Sequence, residues 1–166
     1  GAIVSACSTE PGQDTACVAS FNTISHSPQC IIKSRVMPGE CWLFDGCTAC
    51  VLIQLVTPVQ VTTVSLEHIP ACVSPTGQTS NAPRDFTVWA YPSYDSSEGI
   101  FLGHYSYNNS GSRIQFFNIQ ECLRRTVQFI QFRFLTNNGG IYTCVYRTRV
   151  HGKIPYSNYT TLMLSK

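Results

Sequence analysis

Between residues 51 and 150, apolar side chains recur at every second position in short runs, with little competing helical spacing. That period puts successive side chains on opposite faces of an extended chain, so these runs predict strands with one face buried. Val51, Ile53 and Leu55 share one face of a first strand. Thr62, Val64, Leu66 and His68 line a face of the next, with Thr63, Ser65 and Glu67 opposite. Residues 85–91 set Phe86, Val88 and Ala90 against Thr87 and Trp89. Residues 101–107 and 113–119 flank Asn108-Asn109-Ser110-Gly111-Ser112, a turn-rich linker that predicts a hairpin. Residues 126–136 bury Ile130, Phe132 and Phe134 and turn Gln128, Gln131 and Arg133 outward. After Asn137-Asn138-Gly139-Gly140, residues 142–150 place Tyr142, Cys144, Tyr146 and Val150 opposite Arg147 and Arg149. A series of short strands separated by turns predicts an all-β, antiparallel β-sandwich in one domain.

Composition narrows the function. The chain has 166 residues, 43% of them hydrophobic and 12% charged. The charged share is about half the usual ~25% for soluble domains, which argues against disorder. A net charge of +2 lacks the basic excess of a nucleic-acid binder. The longest apolar stretches, 50–56 and 129–135, are interrupted and fall short of the ~20 residues of a membrane-spanning helix. Nine cysteines point to an oxidising compartment, and their odd number leaves one thiol without an internal partner. Sequons at Asn108 and Asn158 are compatible with a lumenal setting.

Few residues carry catalytic signatures. Cys47-Thr48-Ala49-Cys50 has the spacing of half a zinc site or of a redox pair. A second ligand pair is missing from the sequence, and a strand follows the motif where a redox pair needs a helix. His26, His68, His104 and His151 are scattered. No GxSxG elbow or GxxxxGK loop occurs, and nine acidic residues make a glycosidase pair a remote expectation. A binding module, with no enzymatic activity and no cofactor, is the expectation.

Ordered motifs then carry a resemblance. Pro38-Gly39-Glu40-Cys41-Trp42-Leu43-Phe44-Asp45-Gly46 is followed by Val64-Ser65-Leu66-Glu67-His68-Ile69-Pro70 and Ser80-Asn81-Ala82-Pro83-Arg84-Asp85-Phe86. Leu102-Gly103, Gln115-Phe116-Phe117, Thr136-Asn137-Asn138-Gly139 and the run from Tyr142 to Gly152 complete the set. In order and spacing it resembles a SUN domain, strongly over 38–152 and more loosely over 2–37. The resemblance implies one SUN domain over 1–166. Within it come a KASH lid at 9–27, the equivalent of a cation loop at 30–40, a galactose-binding/discoidin-like sandwich core at 38–152 and an extension at 153–166.

The function implied is capture of the lumenal C-terminal tail of KASH proteins in the perinuclear space. Such capture bridges the inner and outer nuclear membranes and transmits force between cytoskeleton and nucleus. The family works as a homotrimer behind an upstream coiled coil and an inner-nuclear-membrane helix, neither of which lies in this sequence. A lectin-like sandwich module binding glycan is the alternative, supported by analogy of fold alone.

By the same resemblance, His68, Asn81, Tyr142 and Tyr146, near Ala49, line a pocket for the tail's carboxylate. Asn81 stands where the family usually has a small hydroxyl residue, and Ala49 where it has Gly. Ala16, Val18, Phe21 and Ile24 are the expected apolar contacts of a β-hairpin lid. Cys7 is expected to form an intermolecular disulfide with the KASH tail, and Cys41 to pair internally with Cys144. The pairing of Cys17, Cys30, Cys47, Cys50, Cys72 and Cys122 stays open. The loop that coordinates a monovalent cation in relatives corresponds here to Cys30–Glu40. Lys33 and Arg35 stand where neutral or acidic ligands are expected, so a cation is disfavoured. Either Arg35 replaces the ion, or backbone carbonyls alone hold it.

Overall fold

The computed structural model describes residues 1–8, 27–120 and 123–155. Nine antiparallel strands make up its regular structure: β1 (Ala2–Ser8), β2 (Trp42–Asp45), β3 (Ala49–Glu67), β4 (Asp85–Tyr91), β5 (Ile100–Ser106), β6 (Ile114–Asn118), β7 (Val127–Phe134), β8 (Tyr142–Val145) and β9 (Arg147–Lys153). Short 3-10 turns occupy Pro28–Ile32 and Ala71–Val73. No helix among the described residues is long and apolar enough to cross a membrane.

The 19-residue β3 organises the molecule. Its first part pairs with β1 and β7, in a sheet ordered β1-β3-β7-β4-β5. Its second part is flanked by β6 and β9. The register shift between Gln54 and Val59 marks where the strand passes from one set of partners to the other. Pro58 sits at that point, exposed, where its missing N–H costs the ladder nothing. One strand therefore replaces the two expected over 51–55 and 62–68.

The alternating rows become the core. Phe86, Val88 and Ala90 of β4, and Ile130, Phe132 and Phe134 of β7, are all fully buried. Val51 of β3 joins them from the first part of the strand, and Val64 and Leu66 from the second. Each of these side chains larger than alanine contributes about 1.5–3 kcal/mol by leaving water. Phe117 of β6 meets the Phe86 ring edge-on at 5.1 Å, which closes the second layer over the first.

That packing overturns the hairpin expected from 101–107 and 113–119. β5 pairs with β4, whereas β6 pairs with β3. The intervening loop crosses between layers, and the Gln115 amide fastens it by donating to the Asn108 and Ser112 carbonyls. The expected strand 142–150 is likewise two strands, β8 and β9, separated at Tyr146. β8 pairs with β2 in a two-stranded ladder that buries Trp42 and Phe44 against Phe134.

Candidate binding pocket around His68

Beside the main core lies a smaller buried cluster of Cys41, Ile69, Cys144 and Tyr146. Cys41 and Cys144 are joined by a disulfide, 103 residues apart in sequence. The bond ties the loop before β2 to the middle of β8. In that loop Gly39 takes a φ of 83°, a conformation natural to glycine, and donates its N–H to the Tyr146 hydroxyl at 3.2 Å. Burial pushes the Tyr146 phenol up, an effect the Gly39 bond partly offsets.

His68 follows β3 and is 2% exposed. Its backbone N–H donates to the Arg113 carbonyl at 3.1 Å, and its ring lies edge-on to Tyr146 at 4.9 Å between centroids. Nδ1 lies 2.8 Å from the Ile69 carbonyl oxygen. A carbonyl can only accept, so Nδ1 carries the proton and neutral His68 leaves Nε2 as a bare acceptor. Among the described residues Nε2 has no hydrogen-bond partner, and neither has Oδ1 of Asn81. Burial lowers the imidazole's proton affinity first and foremost; the Ile69 carbonyl and the Asn81 side chain pull it back in part.

Backbone contacts bring the other pocket residues in from distant segments. The Asn81 carbonyl accepts from Cys144 N–H at 2.9 Å. Gly140 N–H donates to the Ser80 carbonyl at 3.0 Å. A Cβ on Gly140 would stand 3.1 Å from Asn81 Cα, so the two loops meet closely only because residue 140 is glycine. Tyr142 is half-buried at the start of β8. Its carbonyl accepts from the Asn137 amide, which also reaches Gly140 O at 2.9 Å and Thr143 Oγ1 at 3.0 Å. Asn138 donates to Ala82 O at 2.9 Å. His68, Asn81, Tyr142 and Tyr146 thus come from three separate segments, and these bonds brace the two that carry Asn81 and Tyr142 against each other.

Ala49 stands at the start of β3. It is 2% exposed in the main core, paired with Phe134 at the opposite end of β3 from His68. The lid contacts Ala16, Val18, Phe21 and Ile24 lie outside the described residues, as does the side chain of Cys7. By backbone register Cys7 stands opposite Cys50, and Cys50 is disulfide-bonded. Cys47 carries a free thiol, as do Cys30 and Cys72. Among the described residues no group of three or more His, Cys, Asp or Glu could hold a metal ion.

In the loop at 30–40 the charged side chains have partners within the protein. Arg35 points its guanidinium towards the Met37 sulfur at 3.9 Å. Arg147 Nη1 donates to the Ser34 carbonyl at 2.7 Å, and Lys33 pairs with Glu40 at 3.7 Å. Lys33 and Arg35, with Arg147 of β9 against the loop, disfavour a bound cation, an effect that Glu40 offsets in part.

Two sets of residues had no role assigned from sequence. Asn137 and Asn138 stand in the Thr136-Asn137-Asn138-Gly139 motif, yet their task is to cross-brace the loops; an Asn-Asn-Gly run signals only a turn. Removing the amide in Asn137→Ala strands several carbonyls around the turn, and we expect a loss of about 1–3 kcal/mol in urea denaturation. Glu67 reads as an outward strand residue but is 3% exposed. Its Oε1 accepts from Arg113 Nε at 2.9 Å and Nη2 at 2.6 Å, and its Oε2 from Arg149 Nη2 at 3.2 Å.

Comparison with known proteins decides the family. Residues 21–154 match the Sad1/UNC-like C-terminal family. The chain is a SUN domain. It is 40% identical to Klaroid protein of Drosophila melanogaster over 133 residues, which is 79% of this chain and 14% of that protein. It is 39% identical to SUN domain-containing protein 2 of Mus musculus over 130 residues, 78% of this chain and 18% of that protein. With the nuclear migration and anchoring protein unc-84 of Caenorhabditis elegans the identity is 35% over 133 residues, 78% of this chain and 12% of that protein. This SUN domain therefore spans less than a fifth of these relatives. Its sandwich also resembles a family 32 carbohydrate-binding module from Streptococcus pneumoniae EndoD, with TM-score 0.64 and 13% identity, covering 92% of this chain and 95% of that one. At that identity the likeness shows the fold alone.

Proposed function

We propose that this SUN domain binds the C-terminal lumenal tail of a KASH protein in the perinuclear space, bridging the two nuclear membranes for nuclear anchorage and migration. The observation that carries this reading is the pocket of His68, Asn81, Tyr142 and Tyr146. Among the described residues, Nε2 of His68 and Oδ1 of Asn81 lack partners there, in a chain whose relatives include a nuclear migration and anchoring protein. Both are acceptors while His68 is neutral, so the donors available to a carboxylate at a chain end are the Tyr142 and Tyr146 hydroxyls and, once it takes up a proton, Nε2 of His68. An extended tail pairs through its backbone with little demand on sequence. No enzymatic step and no cofactor is part of this proposal, and trimerisation through an upstream coiled coil belongs to it.

Titration with a synthetic KASH tail tests it. A peptide ending in a free carboxylate is expected to bind, and amidation of that end to weaken binding more than tenfold, or about 1.4 kcal/mol. Equal affinity of acid and amide would remove the carboxylate from the account. Cys7 is proposed to form a disulfide with a cysteine in the tail, and Cys7→Ala should remove the crosslinked band from a non-reducing gel.

A further inference from the structure

We propose that the pocket takes up a proton together with its carboxylate, His68 passing from neutral imidazole in the free domain to imidazolium in the complex. The inference rests on the reading of this pocket as a carboxylate site and adds a pH dependence to it.

The reason is the tautomer. Nδ1–H is committed to the Ile69 carbonyl at 2.8 Å, inside a ring that is 2% exposed. Only Nε2 remains to meet a ligand, and in the neutral ring it presents a lone pair. A lone pair facing a carboxylate repels it, whereas an Nε2–H donates a charge-assisted bond. Among the described residues, the charged groups nearby are engaged with other partners. Tyr146 stands edge-on to the ring, with Tyr142 near it, and Asn81 adjoins. Tyr107 shares the Arg113 carbonyl with the His68 backbone, and burial pushes its phenol up to about 12, so it stays neutral. Glu67, the preceding residue, is neutralised by Arg113 and Arg149, and Glu40 by Lys33. Arg147, next to Tyr146, is spent on the Ser34 carbonyl. Among the described residues no unpaired negative charge competes, so the bound carboxylate is what holds a proton on the ring.

The sign follows. Burial keeps the free ring neutral at and above its ordinary titration range, and the bound carboxylate raises its proton affinity. Between those two values the affinity falls by up to tenfold for each unit of pH rise; below the free ring's value it is flat.

Calorimetric titration of the 166-residue chain with a synthetic KASH tail, at pH 6 and pH 8, reads this directly. We expect the free-acid peptide to bind about tenfold or more tightly at pH 6. At pH 7 the heat in phosphate should differ from that in Tris, as proton uptake requires. The amidated peptide should show neither effect. His68→Gln keeps a donor at Nε2 without a titrating proton and should bind the acid with no slope, while His151→Gln, altered at the other histidine beside β3, should keep the slope. Tight binding of the acid with equal affinity at both pH values and equal heats in both buffers would overturn the proton uptake and leave tail capture standing. A slope that persists in His68→Gln would also overturn it, by assigning the proton elsewhere. Absence of binding at every pH would overturn both. The buffer comparison is made on the unmodified chain, so it decides the matter even where the Gln variant does not fold.

Discussion

Replacing Cys41 and Cys144 together by alanine is expected to lower the melting temperature by about 10–20 °C. The bond closes a loop with a sequence separation of 103, and a crosslink of about 100 residues removes roughly 4–5 kcal/mol of chain entropy from the unfolded state. For a chain of this size each kcal/mol is worth about 2–4 °C. Both residues are almost wholly buried, so lost packing adds to the effect. Scanning calorimetry of the oxidised and reduced wild type beside the double variant checks it: reduction should reproduce most of the variant's shift. A melting temperature unchanged by both treatments would show that the crosslink contributes nothing to stability. Tail binding should weaken as well, because the bond holds the Gly39 turn against Tyr146.

Glu67→Ala is expected to cost about 3 kcal/mol in urea denaturation. Removing one partner of a buried ion pair leaves the other's charge uncompensated, and here two guanidiniums are left facing each other. The two partners are not equivalent to the carboxylate. Arg113 has a half-exposed side chain, and Glu67 keeps Arg149 when it is lost, so Arg113→Ala should cost no more than about 1–2 kcal/mol. A double variant lacking Glu67 and Arg113 should be less destabilised than the sum of the two, since the repulsion is relieved with the second substitution. Additive losses would mean that the three groups do not act as one network.

Where one face of a strand is buried and the other wet, alternation located the elements well. β4 begins and ends where Phe86, Val88 and Ala90 predict it, and the inward row of β7 is the row read from sequence. The failures come from three-dimensional choices that leave local pattern unchanged. Pro58 looks like a break, yet β3 runs through it because the strand changes partners there. A turn-rich linker looks the same whether it closes a hairpin or crosses a sandwich, and Phe117 settles which by packing on Phe86. Tyr146 continues the alternation of Tyr142 and Cys144 but stands outside both strands, against His68. Sequence periodicity alone said nothing of the pocket. His68, Asn81 and Tyr142 lie on separate segments, and only the resemblance joined them, while the bracing by Asn137 and the burial of Glu67 needed the packed structure.

The length of β3 has a mechanical side. His68 follows directly on its last residue, so a pull on a ligand held at that ring enters β3 lengthwise. Ladders to β1, β7, β6 and β9 grip the strand along its course, in both layers. Backbone bonds perpendicular to the strand are then loaded in shear, many at once, and are not peeled one after another. The domain resists tension along the axis on which its pocket would apply it.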